Sequence, residues 1–170
     1  SSLSGMDISK DGQYLAYGIS KAGSDWVEIH VKDIVSKKDL TDVIKWVKFS
    51  GISWKGNGFY YSRYDAPGGD KALTQKNEFH KVYYHTLGKA QSEDVLVYED
   101  REHANRNFSA QVTHDENYLI IYGSETTSGQ SLMIKDLSNP QNKFIPIVSN
   151  FDNEYSVMEN IGNQFYVYTN

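Results

Sequence analysis

The chain has 170 residues and a formal net charge of −5, with 39% hydrophobic, 23% charged and 14% aromatic residues. That composition fits one soluble globular domain or part of one, and the mixed charges lack the basic stripe that nucleic acid binding needs. The absence of cysteine excludes disulfides and thiolate metal sites, and no apolar run approaches the roughly 20 residues of a membrane span.

A cysteine-free chain fits a reducing compartment and equally an exported bacterial protein, so cytoplasm and periplasm both stay open. The chain opens at Ser1-Ser2-Leu3 without a Met, which fits an excised segment with any targeting sequence upstream.

In chain order, one unit recurs four times: a short strand, a tight polar turn, then an aromatic-rich strand. Its copies run Met6–Ile19, Gly51–Arg63, Ala110–Ser124 and Val157–Thr169. Tyr14, Phe59, Tyr118 and Phe165 align, at a spacing of about 45 to 60 residues. The turns Asp11-Gly12 and Asn57-Gly58 reach positive φ cheaply, while Asp115-Glu116-Asn117 and Gly162-Asn163 read as looser versions. After each of the first three units come two more strand-like runs. They are Trp26–Ile34 with a weak one near Lys38–Thr41, Lys81–Leu87 with Asp94–Glu99, and Ser131–Leu137 with Lys143–Val148. Tyr64–Phe79, with Pro67-Gly68-Gly69-Asp70, reads as a long surface loop. Leu40, Val43, Ile44 and Val47 match a helical stripe with Thr41 or Asp39 as N-cap, which predicts a short helical turn between blades.

Four-stranded antiparallel units at this period are the signature of propeller blades. The fold expected is all-β, a partial β-propeller of about 3.5 blades, at residues 3–46, 47–104, 105–151 and, incomplete, 152–170. A β-sandwich also offers evenly spaced short strands, but does not predict the repeated hairpin. An open arc leaves apolar blade faces and strand edges uncovered, so self-association through open blade edges is expected.

No catalytic constellation is complete. Gly51-Ile52-Ser53-Trp54-Lys55 approaches the Gly-x-Ser-x-Gly nucleophile elbow and fails at its last position. His30, His80, His85, His103 and His114 are scattered. His80 and His85, five apart, face opposite sides of a continuous strand and cannot share a metal. Each reads as a surface or inter-strand polar contact. Asp7 and Asp11 lack the calcium-loop pattern, and Gly56-x-Gly58 lacks the third glycine of a phosphate cradle. Asn107-Phe108-Ser109 matches a glycosylation sequon, a short pattern that arises often by chance. No catalytic residue, metal ligand or cofactor is therefore expected.

A set of motifs closely resembles the propeller domain of the prolyl oligopeptidases. It begins with Leu3-Ser4-Gly5, Ser9-Lys10-Asp11-Gly12-Gln13-Tyr14-Leu15-Ala16-Tyr17-Gly18 and Gly23-Ser24-Asp25-Trp26-Val27. It continues through Val47-Lys48-Phe49-Ser50, Gly58-Phe59-Tyr60-Tyr61-Ser62-Arg63-Tyr64 and His80-Lys81-Val82-Tyr83-Tyr84-His85-Thr86-Leu87-Gly88. The resemblance implies a seven-bladed propeller capping an α/β-hydrolase domain of the same chain. That domain carries a Ser-Asp-His triad and cleaves short peptides after proline, while the propeller excludes large folded substrates. No triad position falls within this segment, which implies inactivity alone.

By the same resemblance, Phe49 matches a pocket-lining aromatic beside the proline site, and Asn107 and Thr127 fall near other pocket-lining positions. Asp25 matches an acid that contacts a hydrolase-domain arginine at the domain interface. From the residues alone, Phe49 also reads as core and Asp25 as the cap of a hairpin turn. The other readings for the whole chain are a stand-alone binding scaffold, or the propeller of an oligopeptidase B or dipeptidyl peptidase.

Overall fold

The computed structural model describes residues 1–21, 24–68 and 76–170. Their strands run β1 (Ser2–Ile8), β2 (Tyr14–Ser20), β3 (Val27–Asp33), β4 (Asp39–Lys55), β5 (Gly58–Arg63), β6 (Lys81–Thr86) and β7 (Val95–Glu99). Then come β8 (Asn107–Val112), β9 (Tyr118–Ser124), β10 (Ser131–Asp136), β11 (Ile145–Val148), β12 (Tyr155–Ile161) and β13 (Gln164–Thr169). Every pairing is antiparallel and joins strands consecutive in the chain. The chain is a partial β-propeller of about three and a half blades.

Strand β4 carries the chain from one blade into the next. Its first half pairs with β3 and its second half with β5, with a break in register between Val47 and Ile52. This strand replaces the expected helical turn. Leu40, Asp42 and Ile44 point inward at a period of two, and Asp42 is as buried as its apolar neighbours. An aspartate in a core slot hides strand alternation from a hydrophobicity scan, and the bulge before Val47 then mimics a spacing of three.

The cores lie between blades. Ala16, Ile29 and Val31 meet Ile44, Trp54, Phe59 and Tyr61; Tyr60 and Val82 meet Phe108, Leu119 and Ile121; Ile120, Leu132 and Ile134 meet Val157. Strand β5 thus buries Phe59 and Tyr61 on one face and Tyr60 on the other, and β9 does the same with Leu119 and Ile120. Inner strands are also latched to the following blade. Trp54 donates its backbone N–H to the Asp7 carboxylate (3.1 Å) and its indole N–H to the Asp7 carbonyl (2.9 Å). Val112 N–H donates to Ser53 Oγ (2.9 Å), and Val157 N–H to Tyr122 Oη (2.8 Å).

Two turn designs recur. In Ser9–Tyr14 the Asp11 carboxylate accepts from Ser9 Oγ and Gln13 N–H, and in Thr113–Tyr118 Asp115 accepts from Thr113 Oγ1 and Asn117 N–H. Gly12 sits at φ +74° in the first and Glu116 at +59° in the second. The other two are two-residue loops, Gly56-Asn57 and Gly162-Asn163, closed by Lys55–Gly58 and Ile161–Gln164 pairs. Positive φ falls on Gly56 and Gly162; Gly58, expected to supply it, is the first residue of β5. The Tyr64–Phe79 loop lies partly outside the described residues, as does Gly23.

Candidate functional site

The hairpin turns gather at one end of the strands, where Asp11, Gly56, Asn57 and Glu116 line a common hollow. The opposite end collects the β4 bulge, the start of β8 and the β9–β10 connection. There Phe49, Asn107 and Thr127 line one depression of about 430 Å³, with Phe108, Tyr122 and Gln130.

Phe49 is held in an unusual way. Its φ is +51° and that of Trp46 is +61°, in the left-handed region that costs an L-residue about 1–2 kcal/mol. Phe49 is 60% exposed, so it is not the core residue that a strand-entry aromatic suggests. Its inner edge meets the His80 ring, with centroids 6.5 Å apart.

His80 is fully buried beneath it. Nε2 lies 2.7 Å from the Lys48 carbonyl and Nδ1 2.9 Å from the Phe108 N–H. One partner accepts and the other donates, which fixes a neutral ring with the proton on Nε2. Burial pushes its pKa down to about 4, against a smaller opposing effect of the Lys48 carbonyl. The imidazole therefore splices the β4 bulge to the start of β8. Tyr64 meets it in a tilted ring contact with centroids 4.7 Å apart and donates its hydroxyl to Asn107 Oδ1 (2.6 Å); burial pushes that phenol up to about 12. Ser62 Oγ donates to the Phe108 carbonyl (2.7 Å), and Ser50 Oγ accepts from Ser62 N–H (2.7 Å).

The Thr127 wall is pinned from both sides. Arg106 pairs with Glu125 (2.6 Å), and Gly129 N–H donates to Glu154 (2.8 Å). Gly129 adopts φ +78°, and a Cβ there would lie 1.7 Å from the Phe151 carbonyl oxygen, so only glycine fits.

Asp25 lies apart from these three, across Phe49, in a neighbouring depression. Its side chain is 87% exposed and pairs with Lys48 Nζ at 3.5 Å. Among the described residues, Ser24 Oγ accepts from Trp26 N–H (3.1 Å), and no backbone N–H donates to the Asp25 carboxylate.

Sequence reasoning missed His80, Tyr64 and Lys48. The His80–Gly88 motif flagged the segment, but no spacing rule reports that His80 is neutral and buried. The other buried histidine, His85, is held between Asp94 (2.7 Å from Nδ1) and Asp42 (2.9 Å from Nε2). Burial alone lowers its pKa, but the two carboxylates outweigh that and raise it above 6.5. Both rings spend both nitrogens on fixed partners, so neither serves as a general base. The arrangement is a shaped, partly apolar wall.

Comparison with known proteins identifies the family of this propeller. Residues 1–170 match the family described as prolyl oligopeptidase, N-terminal beta-propeller domain. The prolyl endopeptidase of Elizabethkingia meningoseptica is 41% identical over 169 residues, which cover 99% of this chain and 24% of that protein. A structure from a study of inter-domain dynamics in two prolyl endopeptidases superposes with a TM-score of 0.89 at 29% identity, over 99% of this chain and 24% of that one. Galerina marginata prolyl oligopeptidase B, bound to a 35mer hydrolysis and macrocyclization substrate, gives a TM-score of 0.87 at 29% identity, over 96% and 25%. The chain spans about a quarter of the length of these relatives. It belongs to the prolyl oligopeptidase family, as N-terminal β-propeller sequence of that family.

Proposed function

We propose that this chain is the non-catalytic propeller segment of a prolyl-specific serine endopeptidase. In this reading it caps the active site of an α/β-hydrolase domain on the same polypeptide and restricts access to short peptides. Phe49, Asn107 and Thr127 form part of the substrate pocket, and Asp25 faces an arginine of the hydrolase domain. One observation carries the proposal: three side chains from separate parts of the sequence line one depression, with Phe49 presented outward in a costly conformation that core burial does not repay. An exposed carboxylate at the same end can orient a guanidinium through charge-assisted hydrogen bonds. The 35-residue substrate of the Galerina relative sets the scale of a short peptide at tens of residues.

The test uses the full-length polypeptide with a fluorogenic peptide carrying proline before the scissile bond, and a matched peptide lacking it. Hydrolysis is expected only with proline. Asp25→Ala should raise KM several-fold while the unfolding midpoint stays put, because an exposed ion pair contributes at most about 1 kcal/mol. The 170-residue chain alone should be inactive. Unchanged kinetics in Asp25→Ala reject the interface role, and hydrolysis by the isolated chain rejects the division of labour. A full-length protein that binds peptides without cleaving them is a scaffold, and one that cleaves both peptides equally is a related peptidase.

A further inference from the structure

The depression that holds Asp25 measures about 480 Å³ and shares Phe49 with the first. Its walls come from Ser4 on β1, Ser20 on β2, Ser24, and the Lys48–Ser50 stretch of β4. In a regular strand Lys48 and Phe49 would point to opposite faces. The left-handed backbone at Phe49 breaks that alternation and brings their ends together. Lys48 Nζ lies 5.4 Å from the centre of the Phe49 ring and 5.2 Å from that of Trp26.

The Lys48 side chain is only 14% exposed, so its stem is already immobilised. Its ammonium carries three donors. The Asp25 carboxylate stands 3.5 Å away, at the outer limit of a hydrogen bond, and is itself mostly in water. Two aromatic faces hold the cation without neutralising it. A fixed, weakly satisfied ammonium in a serine-walled hollow is suited to an anion, and binding one there costs little side-chain entropy.

We propose that this depression is a second peptide subsite, selective for a carboxylate-bearing side chain, and that Lys48 reads the charge. The assignment rests on reading this end of the propeller as a peptide-binding wall. A peptide residue packed on Phe49 places the residue two positions further along an extended backbone, on the same face and about 6.6 Å away, beside Lys48. The incoming carboxylate displaces Asp25 from Lys48, and Asp25 keeps the hydrolase-domain arginine that it faces in the proposed function.

The experiment compares proline-containing peptides in which one residue, walked along the chain, is Glu or Gln. Both kcat/KM and binding, by fluorescence anisotropy of the labelled peptides, are measured in the full-length protein. At one position Glu is expected to be favoured about three- to fivefold at low salt, with the preference shrinking as salt rises. Lys48→Met, which keeps an apolar stem, should bring the Glu/Gln ratio to about one, Lys48→Arg should preserve it, and Asp25→Asn should increase it. Equal use of Glu and Gln at every position in the unmodified protein overturns the subsite, as does a preference that survives Lys48→Met. Charge-dependent binding without turnover overturns only the peptidase reading; turnover without charge dependence overturns only the subsite.

Discussion

His80 and His85 are close in sequence and equally buried, yet their pKa values shift in opposite directions because of what lies opposite them. His80 meets two backbone groups from positions 32 and 28 residues away. His85 meets carboxylates 9 and 43 residues away. Opposite strand faces were legible from their spacing; the partners were not, since each is delivered by another blade element. The two groups give opposite pH dependences. The folded pKa of His80, about 4, lies below the ordinary 6.5. Between those values the unfolded chain takes up a proton that the folded chain refuses, so stability falls as pH falls through this window, by up to about 3 kcal/mol. The folded pKa of His85 lies above 6.5. Its pairing therefore contributes fully below about pH 6.5 and is lost as pH rises through the higher folded value. Imidazole resonances followed by NMR should show His85 titrating above 6.5 and His80 neutral down to about pH 4. A His85 resonance that titrates at or below 6.5 would contradict the clamp, and a His80 resonance that titrates near 6.5 would contradict the splice.

At the scale of elements, the hairpins were legible because their chemistry is local. Ser9 with Asp11 and Thr113 with Asp115 place the same hydroxyl and carboxylate at the same offsets, and the aromatic that opens the next strand follows. Strand β4 was not legible, because Asp42 occupies an inward position for the sake of His85 and Gly88 N–H, a demand made by another strand. The paired turns allow a direct comparison. A Cβ added at Gly12 would meet nothing within 4 Å, so Gly12→Ala tests backbone conformation alone. It should cost about 1 kcal/mol, the left-handed penalty for an L-residue. Glu116 already bears that penalty at φ +59°, with only a 3.4 Å contact from Gly56 N–H to its carboxylate in return. Glu116→Gly should therefore stabilise by a few tenths of a kcal/mol, after the larger entropy of an unfolded glycine is subtracted. Urea midpoints should move in opposite directions with unchanged m-values. A shift in the same direction would mean that the two turns are not equivalent.

For the whole molecule, the repeat announced the arc, while the depression beside Phe49 was out of reach of any spacing rule, because its walls come from the entries of different blades. The arc also has uncovered ends. Leu3, Met6 and Ile8 on β1 are exposed, as are Met158 and Ile161 on β12 and Tyr166 and Tyr168 on β13. Among the described residues, strand β13 pairs only with β12, so its other edge presents free backbone donors and acceptors. A blade buries both faces only against neighbours, and interior strands such as β5 do so while β13 does not. Edge pairing and apolar contact then favour association of the 170-residue chain with itself. In a polypeptide that carries further blades the same surfaces would be covered. Sedimentation velocity over a roughly hundredfold concentration range should show species that grow with concentration, since association follows mass action. Tyr168→Lys, which places a charge on the open strand, should shift the distribution toward monomer, because an edge lysine blocks strand addition. A single monomeric species at every concentration would mean that the apolar ends do not seek partners, and that edge exposure alone does not drive this arc to associate.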